Sequence, residues 1–484
     1  MLGKLRTLAS DALIYGLTTI LVRFMTFLLT PLYSNYLTKT EVGAYTDLLS
    51  VLGFITIIYC IGLDSAFFRF FSRSDDEQTK RAFSYSFWGI FVVSAVFTAV
   101  VLIFSEPIAH YFPELYAMYG TSIILIAAFI PLCDVLTFIP YAVLRMNRRA
   151  KTFAILKIMT VAVNVGATFV LVVSFKMGVR GIIIAGIISS GIALVAFVPT
   201  ILRWLAPLRD KKLFREMLAF GLPTLPSALS LMMLQLADRP IMKLLAGAET
   251  LGMYSVNYRL GIPMMLLVAV FDFAWKPFYL GHHEEADAPK LFSRILTYFT
   301  LICAGVFLVV SFGMQYIVQM PFVGGKFIHP SYWSGLGIIP IIMGGYFFNG
   351  LFVNFAAGFH IQKRTKFLPM ATGLAAVTNV ALNFLLIPHY GIYGGAWATF
   401  GAYFLSMLVL YAYSRRIYPI DYEWRRVLGI IALTLAVYGG VEWGMPDRVW
   451  SKLVGMVVFV FVLWVLKFFN ADEVRALKRV LRRA

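Results

Sequence analysis

The sequence predicts an all-α integral membrane protein of about 14 transmembrane helices, and three observations support that fold class. Hydrophobic residues make up 60% of the 484 residues and charged residues only 14%, about half the charged share of a soluble domain. Apolar runs of about 20 residues, the length that crosses a bilayer, recur along the whole chain. Lysine and arginine fall mostly in the short segments between these runs. Lipid is therefore the predicted solvent.

Taken in order, the apolar runs predict fourteen spans in three groups. The first six lie near residues 12–33, 43–64, 83–105, 117–143, 153–174 and 181–202. The next six lie near residues 217–238, 251–275, 292–318, 334–358, 367–387 and 392–413, and the last two near 427–443 and 451–469. We expect an N-terminal six-helix bundle over residues 1–210, a C-terminal six-helix bundle over 211–415, and an extension over 416–484 of two helices and a basic cytoplasmic tail.

The distribution of positive charge predicts the orientation. With the N-terminus inside, Lys and Arg in the cytoplasmic segments outnumber those in the outer segments by about four to one. Both termini are therefore expected in the cytoplasm. The formal net charge of +18 has the same origin, so membrane lipid is the expected partner of the basic tail and no nucleic acid is expected. Histidine and cysteine lack metal-ligand spacing, so no metal or cofactor is expected.

Two pairs of matching segments predict an internal repeat. The first pair matches Pro31, Gly43 and Tyr45 with residues that follow at one constant offset, Pro240, Gly252 and Tyr254. The second pair matches residues 178–181 with residues 391–394 at nearly the same offset. Six spans separate the copies, so both halves enter the membrane in the same sense. Transporters with such parallel repeats bind substrate between the halves and rock them to alternate access.

Several motifs at these junctions carry a family resemblance. They are residues 37–45, 62–66, 220–223, the pair Asp238 and Arg239, and residues 249–254 and 379–399. With them the chain resembles the polysaccharide-exporter branch of the multidrug/oligosaccharidyl-lipid/polysaccharide exporter superfamily, over about residues 10–413. The resemblance implies two six-helix bundles related by a parallel pseudo-two-fold axis around a central cavity.

The resemblance also implies a function. Such a flippase would translocate an undecaprenyl-diphosphate-linked oligosaccharide across the bacterial inner membrane, for O-antigen of lipopolysaccharide, capsule or exopolysaccharide. A polysaccharide polymerase and glycosyltransferases would be its working partners. Proton or sodium coupling is left open, and no catalytic residue is expected.

Two arginines lie within predicted spans. A charged side chain at bilayer depth costs about 2.5–3.5 kcal/mol, so it generally faces a cavity or a partner. We expect Arg23 and Arg259 to line the cavity and bind the diphosphate or acidic sugars, because guanidinium is always charged and matches phosphate oxygens. The alternative for each is a structural ion pair with a carboxylate of a neighbouring helix.

Five further positions complete the candidate site. Asp238 and Arg239, at the predicted outer end of span 7, are candidate substrate contacts or an interfacial pair. Asp64 and Asp272, at the predicted cytoplasmic ends of spans 2 and 8, are candidate gating or cation-binding carboxylates, or partners of Arg69 and Lys276. Asp134 in span 4 is a candidate for coupling or for a hydrogen-bonded helix contact.

Three other functions remain as alternatives. A cation-coupled multidrug exporter of the same fold needs an acidic cavity, whereas the clearest mid-span charges here are arginines. A membrane enzyme that modifies polysaccharide needs a nucleophile and base together, and no such constellation appears. A channel is the third alternative.

Overall fold

The computed structural model describes residues 2–72, 75–444 and 448–465, with side chains from residue 14 onward. Within these ranges thirteen helices are long and apolar enough to span a bilayer, and the shorter apolar helix Val449–Val465 follows them. The predicted all-α membrane fold is confirmed. The basic tail and the end of predicted span 14 lie outside the described residues.

The first half of the chain, spans 1–6, is helical almost throughout. Its helices are α1 (Leu2–Phe27), α2 (Leu29–Tyr36), α3 (Lys39–Cys60), α4 (Leu63–Phe70), α5 (Asp76–Ile103), α6 (Ser105–His110), α7 (Pro113–Tyr119), α8 (Ser122–Ala127), α9 (Phe129–Met146), α10 (Ala150–Phe169) and α11 (Gly178–Trp204). A π-helical turn, Val170–Ser174, follows α10.

The second half, spans 7–12, and the two added spans follow the same pattern. Their helices are α12 (Lys211–Gly221), α13 (Leu225–Leu236), α14 (Asp238–Leu260), α15 (Ile262–His282), α16 (Ala288–Ile317), α17 (Ile339–Ile361), α18 (Phe367–Tyr390), α19 (Ile392–Ile417), α20 (Trp424–Gly444) and α21 (Val449–Val465). Two 3-10 segments, Leu222–Thr224 and Pro330–Ile338, interrupt them. The strands β1 (Pro321–Phe322) and β2 (Gly325–Lys326) form a small antiparallel hairpin.

The apolar run predicted that span 7 ends at Asp238, but the helix continues beyond this residue. Pro240 has no N–H for the carbonyl of Leu236 and its ring crowds that carbonyl, so the helix bends at this point instead of stopping. Helical structure continues to Gly247, where φ of 82° and ψ of 167° break it. Asp238 and Arg239 therefore lie inside the span. The expected position of this pair at the outer end of span 7 is therefore corrected, and the interfacial alternative stays a prediction.

The predicted repeat has a direct structural counterpart where spans 2 and 8 cross. A Cβ on Gly43 would collide with the carbonyl oxygen of Ala248, and a Cβ on Gly252 would collide with the carbonyl oxygen of Lys39. Lys39 and Ala248 are themselves separated by the offset that separates Gly43 and Gly252. The contact is therefore reciprocal, as a two-fold relation between the halves requires. We call this end of the bundle the Gly43 end.

The two added spans are fixed to span 9 through the segment that precedes α20. Ser293 Oγ donates a hydrogen bond to the carbonyl of Asp421 at 2.8 Å, and Thr297 Oγ1 donates to Glu423 Oε2 at 2.8 Å. Phe312 of α16 also packs with Phe459 of α21 in one buried apolar cluster. The extension is thus part of the packed bundle beside the second half. The domain limits at residues 210 and 415 stay a prediction.

Candidate functional site

A cavity of about 410 Å³, lined by charged, polar and apolar residues, opens among the helices of the second half, with span 1 of the first half contributing to its wall. Its charged lining residues are Arg23, Arg239 and Asp272. Its other polar and aromatic residues are Gln235, Tyr258, Tyr346, Asn349, Thr372, Tyr403 and Ser406. Three residues singled out from the sequence thus meet in one space. Arg259, Asp238, Asp64 and Asp134 are not among its lining residues.

Arg23 projects from α1 into this cavity and its side chain is exposed. Among the described residues, no carboxylate oxygen comes within the 4.0 Å ion-pair limit of its guanidinium. Tyr346 and Tyr403 line the same cavity wall. The ion-pair alternative for Arg23 is therefore not realised in this conformation, and its positive charge is left for a ligand.

Arg239 is the second cavity cation, and it lies against aromatic rings. Its guanidinium carbon is 5.8 Å from the ring centroid of Tyr258, within the range of a cation–π contact. The Tyr346 hydroxyl donates to the Tyr258 hydroxyl at 3.0 Å, and the Tyr346 ring packs against that of Tyr403 at 6.1 Å. A row of tyrosines therefore borders both arginines, offering flat apolar faces with polar hydroxyls.

Asp238 is buried behind this row of tyrosines, and its side chain does not line the cavity. Its exposed fraction is 2%, and its Oδ2 accepts a hydrogen bond from the Tyr254 hydroxyl at 2.7 Å. Adjacent helix positions point about 100° apart, which is why Arg239 reaches the cavity and its neighbour does not. In this conformation Asp238 positions Tyr254, whose ring packs on Tyr258 at 5.4 Å.

Arg259 lies at the contact between the halves, near the Gly43 end. Its guanidinium carbon is 5.6 Å from the Tyr33 ring centroid, and Tyr33 packs edge-on against Tyr45 at 5.8 Å. No described carboxylate oxygen pairs with it within 4.0 Å. Arg259 therefore contacts the opposite half of the chain and does not line the cavity.

Asp272 differs from its predicted place at a helix end. Helix α15 continues to His282, so Asp272 lies well inside it and lines the cavity. The apolar run ended early because Lys276 and Pro277 interrupt it, but proline bends a long helix without always ending it. No described ion pair joins Asp272 to Lys276 within 4.0 Å. The cavity therefore holds one acidic and two basic side chains.

Asp64 and Asp134 lie outside the cavity. Asp64 is in the first turn of α4, a favourable place for a carboxylate, and no described ion pair joins it to Arg69. Asp134 accepts a hydrogen bond from Ser190 Oγ at 2.6 Å, which ties α9 to α11 inside the first half. The geometry around Asp134 is that of a helix contact.

Sequence analysis missed an ionic cluster at the Gly43 end. Lys243 Nζ lies 2.9 Å from Asp47 Oδ2 and 3.3 Å from Glu114 Oε2. Lys243 falls between the predicted spans 217–238 and 251–275, because the apolar run of span 7 ended at Asp238. A carboxylate at position 47, inside an apolar span, was the signal that could have revealed the cluster.

An apolar pocket of about 130 Å³ lies on the other side of span 10. Phe347 and Phe348 line it, whereas their neighbours Tyr346 and Asn349 line the polar cavity. The remaining walls come from spans 8, 9, 12 and 13, and its lining is almost wholly apolar. One helix therefore separates a polar space from an apolar one.

Solved structures with this arrangement confirm the fold. A structure of the lipid II flippase MurJ in an inward closed conformation aligns with a TM-score of 0.76 at 16% identity, covering 96% of this chain and 100% of that one. An inward-facing multidrug resistance transporter of the MATE family aligns at 0.62 and 14% identity, covering 85% and 99%. An outward-facing MATE structure aligns at 0.56 and 14% identity, covering 87% and 96%. At these identities the likeness concerns the fold.

A family model settles the class. The model described as polysaccharide biosynthesis protein matches residues 8–278, which is more than half of the chain, and the chain belongs to that family. No curated protein matches. The protein is a multi-pass membrane protein of the polysaccharide biosynthesis protein family, and its fold is that of the MurJ flippase structure.

Proposed function

We propose that this member of the polysaccharide biosynthesis protein family is an alternating-access flippase for an undecaprenyl-diphosphate-linked oligosaccharide. The observation that carries the proposal is the cavity in which Arg23 and Arg239 face open space without a carboxylate partner. Two guanidinium groups suit the two phosphates, because each can donate paired hydrogen bonds to phosphate oxygens. The tyrosine row provides flat faces for the sugar rings.

The apolar pocket supports the same substrate class. A lipid-linked oligosaccharide has a charged head and a long apolar tail, and these need separate environments. Span 10 places the arginine-lined cavity and the apolar pocket back to back. We infer that the head enters the cavity while part of the polyprenyl tail enters the pocket beside span 13.

The proposal includes an orientation and a location. Basic residues concentrate at the end opposite the Gly43 end, so the positive-inside rule places that end and both termini in the cytoplasm. The Gly43 end, closed by spans 2 and 8, would then face outward across the bacterial inner membrane. The closed outer end and the cavity would together represent the state that precedes release.

The test uses purified protein in proteoliposomes with a fluorescent undecaprenyl-diphosphate oligosaccharide. Arg23→Ala and Arg239→Ala each remove a charge-assisted hydrogen bond worth about 1.5–3 kcal/mol, so each should lower substrate affinity by about 10- to 100-fold. Arg180→Ala is the matched control, because Arg180 is exposed outside the cavity. Wild-type transport in the Arg23→Ala, Arg239→Ala double variant would refute the proposal.

One observation favours a second candidate, a cation-coupled exporter. Asp272 gives the cavity a carboxylate that a cationic drug could pair with. Export of a cationic dye that depends on Asp272, measured in the same proteoliposomes, would support this alternative. We favour the flippase because the two basic residues of the cavity outnumber the single acid.

A further inference from the structure

The Gly43 end is closed by two docking contacts that the internal repeat relates. In the first, α2 docks onto the segment between spans 9 and 10: Asn35 Nδ2 donates to the Lys326 carbonyl at 2.7 Å, and Ser34 Oγ accepts from the His329 N–H at 3.3 Å. In the second, the start of α14 docks onto the segment between spans 3 and 4. Lys243 stands at the repeat position of Ser34, so one contact is neutral and its counterpart is charged.

In the charged contact, two carboxylates and two aromatic rings surround the Lys243 ammonium group, and we call these four side chains the cage. The ammonium lies 2.9 Å from Asp47 and 3.3 Å from Glu114, and it sits 4.8 Å from the ring centroid of Phe112 and 5.7 Å from that of Tyr111. Lys243 comes from the second half, and all four partners come from the first. The cage is shielded from solvent, since only 11% of the Lys243 side chain and 1% of the Asp47 side chain are exposed.

This burial makes the cage costly to separate. If the halves part at this end, Lys243 loses its Coulomb attraction to Asp47 and Glu114, and Asp47 stays within an otherwise apolar span with only the entering water to solvate it. A buried pair is strongly destabilised when one partner is withdrawn, because the remaining charge is not compensated. The neutral contact of Ser34 and Asn35 has no such Coulomb attraction to lose, and water can replace its hydrogen bonds.

We propose that Lys243 and its cage form an ionic latch between the halves, which holds the Gly43 end closed and breaks each time the cavity opens there. The latch rests on the proposed alternating access. Its strength is set by Asp47 and Lys243, which are buried, and Glu114 contributes less because 24% of its side chain is exposed. Of the two repeat-related docking contacts, the one at Lys243 is charged and the one at Ser34 is neutral.

The experiment measures closure without substrate. Lys39→Cys and Glu249→Cys place thiols on opposite halves at a pair whose charged atoms lie 3.2 Å apart, in a background lacking the three native cysteines. A short bifunctional thiol reagent then reports the closed fraction of the full-length protein in proteoliposomes. Lys243→Met should raise the ratio of open to closed protein by about tenfold or more, because the closed state then buries the carboxylates of Asp47 and Glu114 without a compensating cation, whereas opening hydrates them.

Three further variants make the test specific. Arg180→Met removes a cation at the same end outside the cage and should leave crosslinking at the wild-type level. Glu114→Gln should lower crosslinking less than Lys243→Met does and remains informative if the latter folds poorly. Asp47→Lys combined with Lys243→Asp should restore closure, which a loss of packing alone would not allow.

Crosslinking of Lys243→Met at the wild-type level, in protein with a wild-type elution profile, would overturn the latch. Failure of the swapped pair to exceed Lys243→Met would overturn it as well. If crosslinking responds as expected while the wild-type protein moves no lipid-linked oligosaccharide, the latch stands and the proposed substrate falls.

Discussion

Gly43 and Gly252 pack each against the backbone of the other's helix, at the point where the two halves of the chain touch. Each lacks the Cβ that would strike a carbonyl oxygen of the opposite helix, Ala248 in one case and Lys39 in the other. Small residues allow such close helix crossings in membranes, where van der Waals packing replaces the hydrophobic effect as the main driving force. We call this contact between the two halves the seam, and the two glycines set how closely its helices approach.

Adding side chains at this crossing should open the seam. Gly43→Val forces the two backbones apart, and overpacking of this kind costs about 1–3 kcal/mol. We expect a lower melting temperature in detergent and a smaller closed fraction in the crosslinking assay. Gly191→Val is the control, because a Cβ there meets nothing within 4 Å. Equal melting temperatures for the two variants would contradict the close crossing.

Arg259 should couple energetically to Tyr33 across the seam. A desolvated cation–π contact contributes about 2 kcal/mol and an exposed one about 0.5–1 kcal/mol, so this half-buried pair should fall between these values. A double-mutant cycle with Arg259→Met and Tyr33→Leu, read from unfolding free energies, measures the coupling. Additive effects would show that the contact between Arg259 and Tyr33 contributes no coupling energy to stability.

Asp134 should act as a structural hydrogen-bond acceptor that joins α9 to α11. Because Ser190 donates to its carboxylate at 2.6 Å, Asp134→Asn keeps an oxygen acceptor at that position and should retain transport, with a stability loss of about 1 kcal/mol. Asp134→Leu leaves Ser190 without its partner and should cost more. Transport by Asp134→Asn across a pH series provides the measurement. Loss of transport with normal stability would instead favour the coupling role.

Filling the apolar pocket should interfere with a long lipid tail. Ala304 lines that pocket, so Ala304→Trp should lower transport of a full-length polyprenyl substrate at least about tenfold while sparing a short-chain analogue. Ala432→Trp is the control, since Ala432 lies on the exposed side of the neighbouring span 13. Equal losses for both chain lengths would place the tail elsewhere.

Much of the fold could be predicted from the sequence because a membrane restricts the secondary structures that a spanning segment can adopt. Backbone polar groups in lipid must be satisfied within the segment, so each long apolar run has to be a helix. The echo of Gly43 in Gly252 predicted the relation between the halves, and their reciprocal contact is its counterpart. The errors occurred where proline bends a helix without ending it, at Pro240 and Pro277, and they misplaced Asp238 and Asp272.

The sequence by itself determined the helical membrane class, the number of spans and the residues whose charge is costly in lipid, since these depend only on local composition and length. The tertiary structure decided which of those charges share a space. Arg23 and Arg239 are far apart in the chain and meet in one cavity, whereas adjacent Asp238 turns away because helical geometry separates neighbouring side chains. It also decided that Lys243 meets Asp47, a pairing between halves that no local pattern encodes.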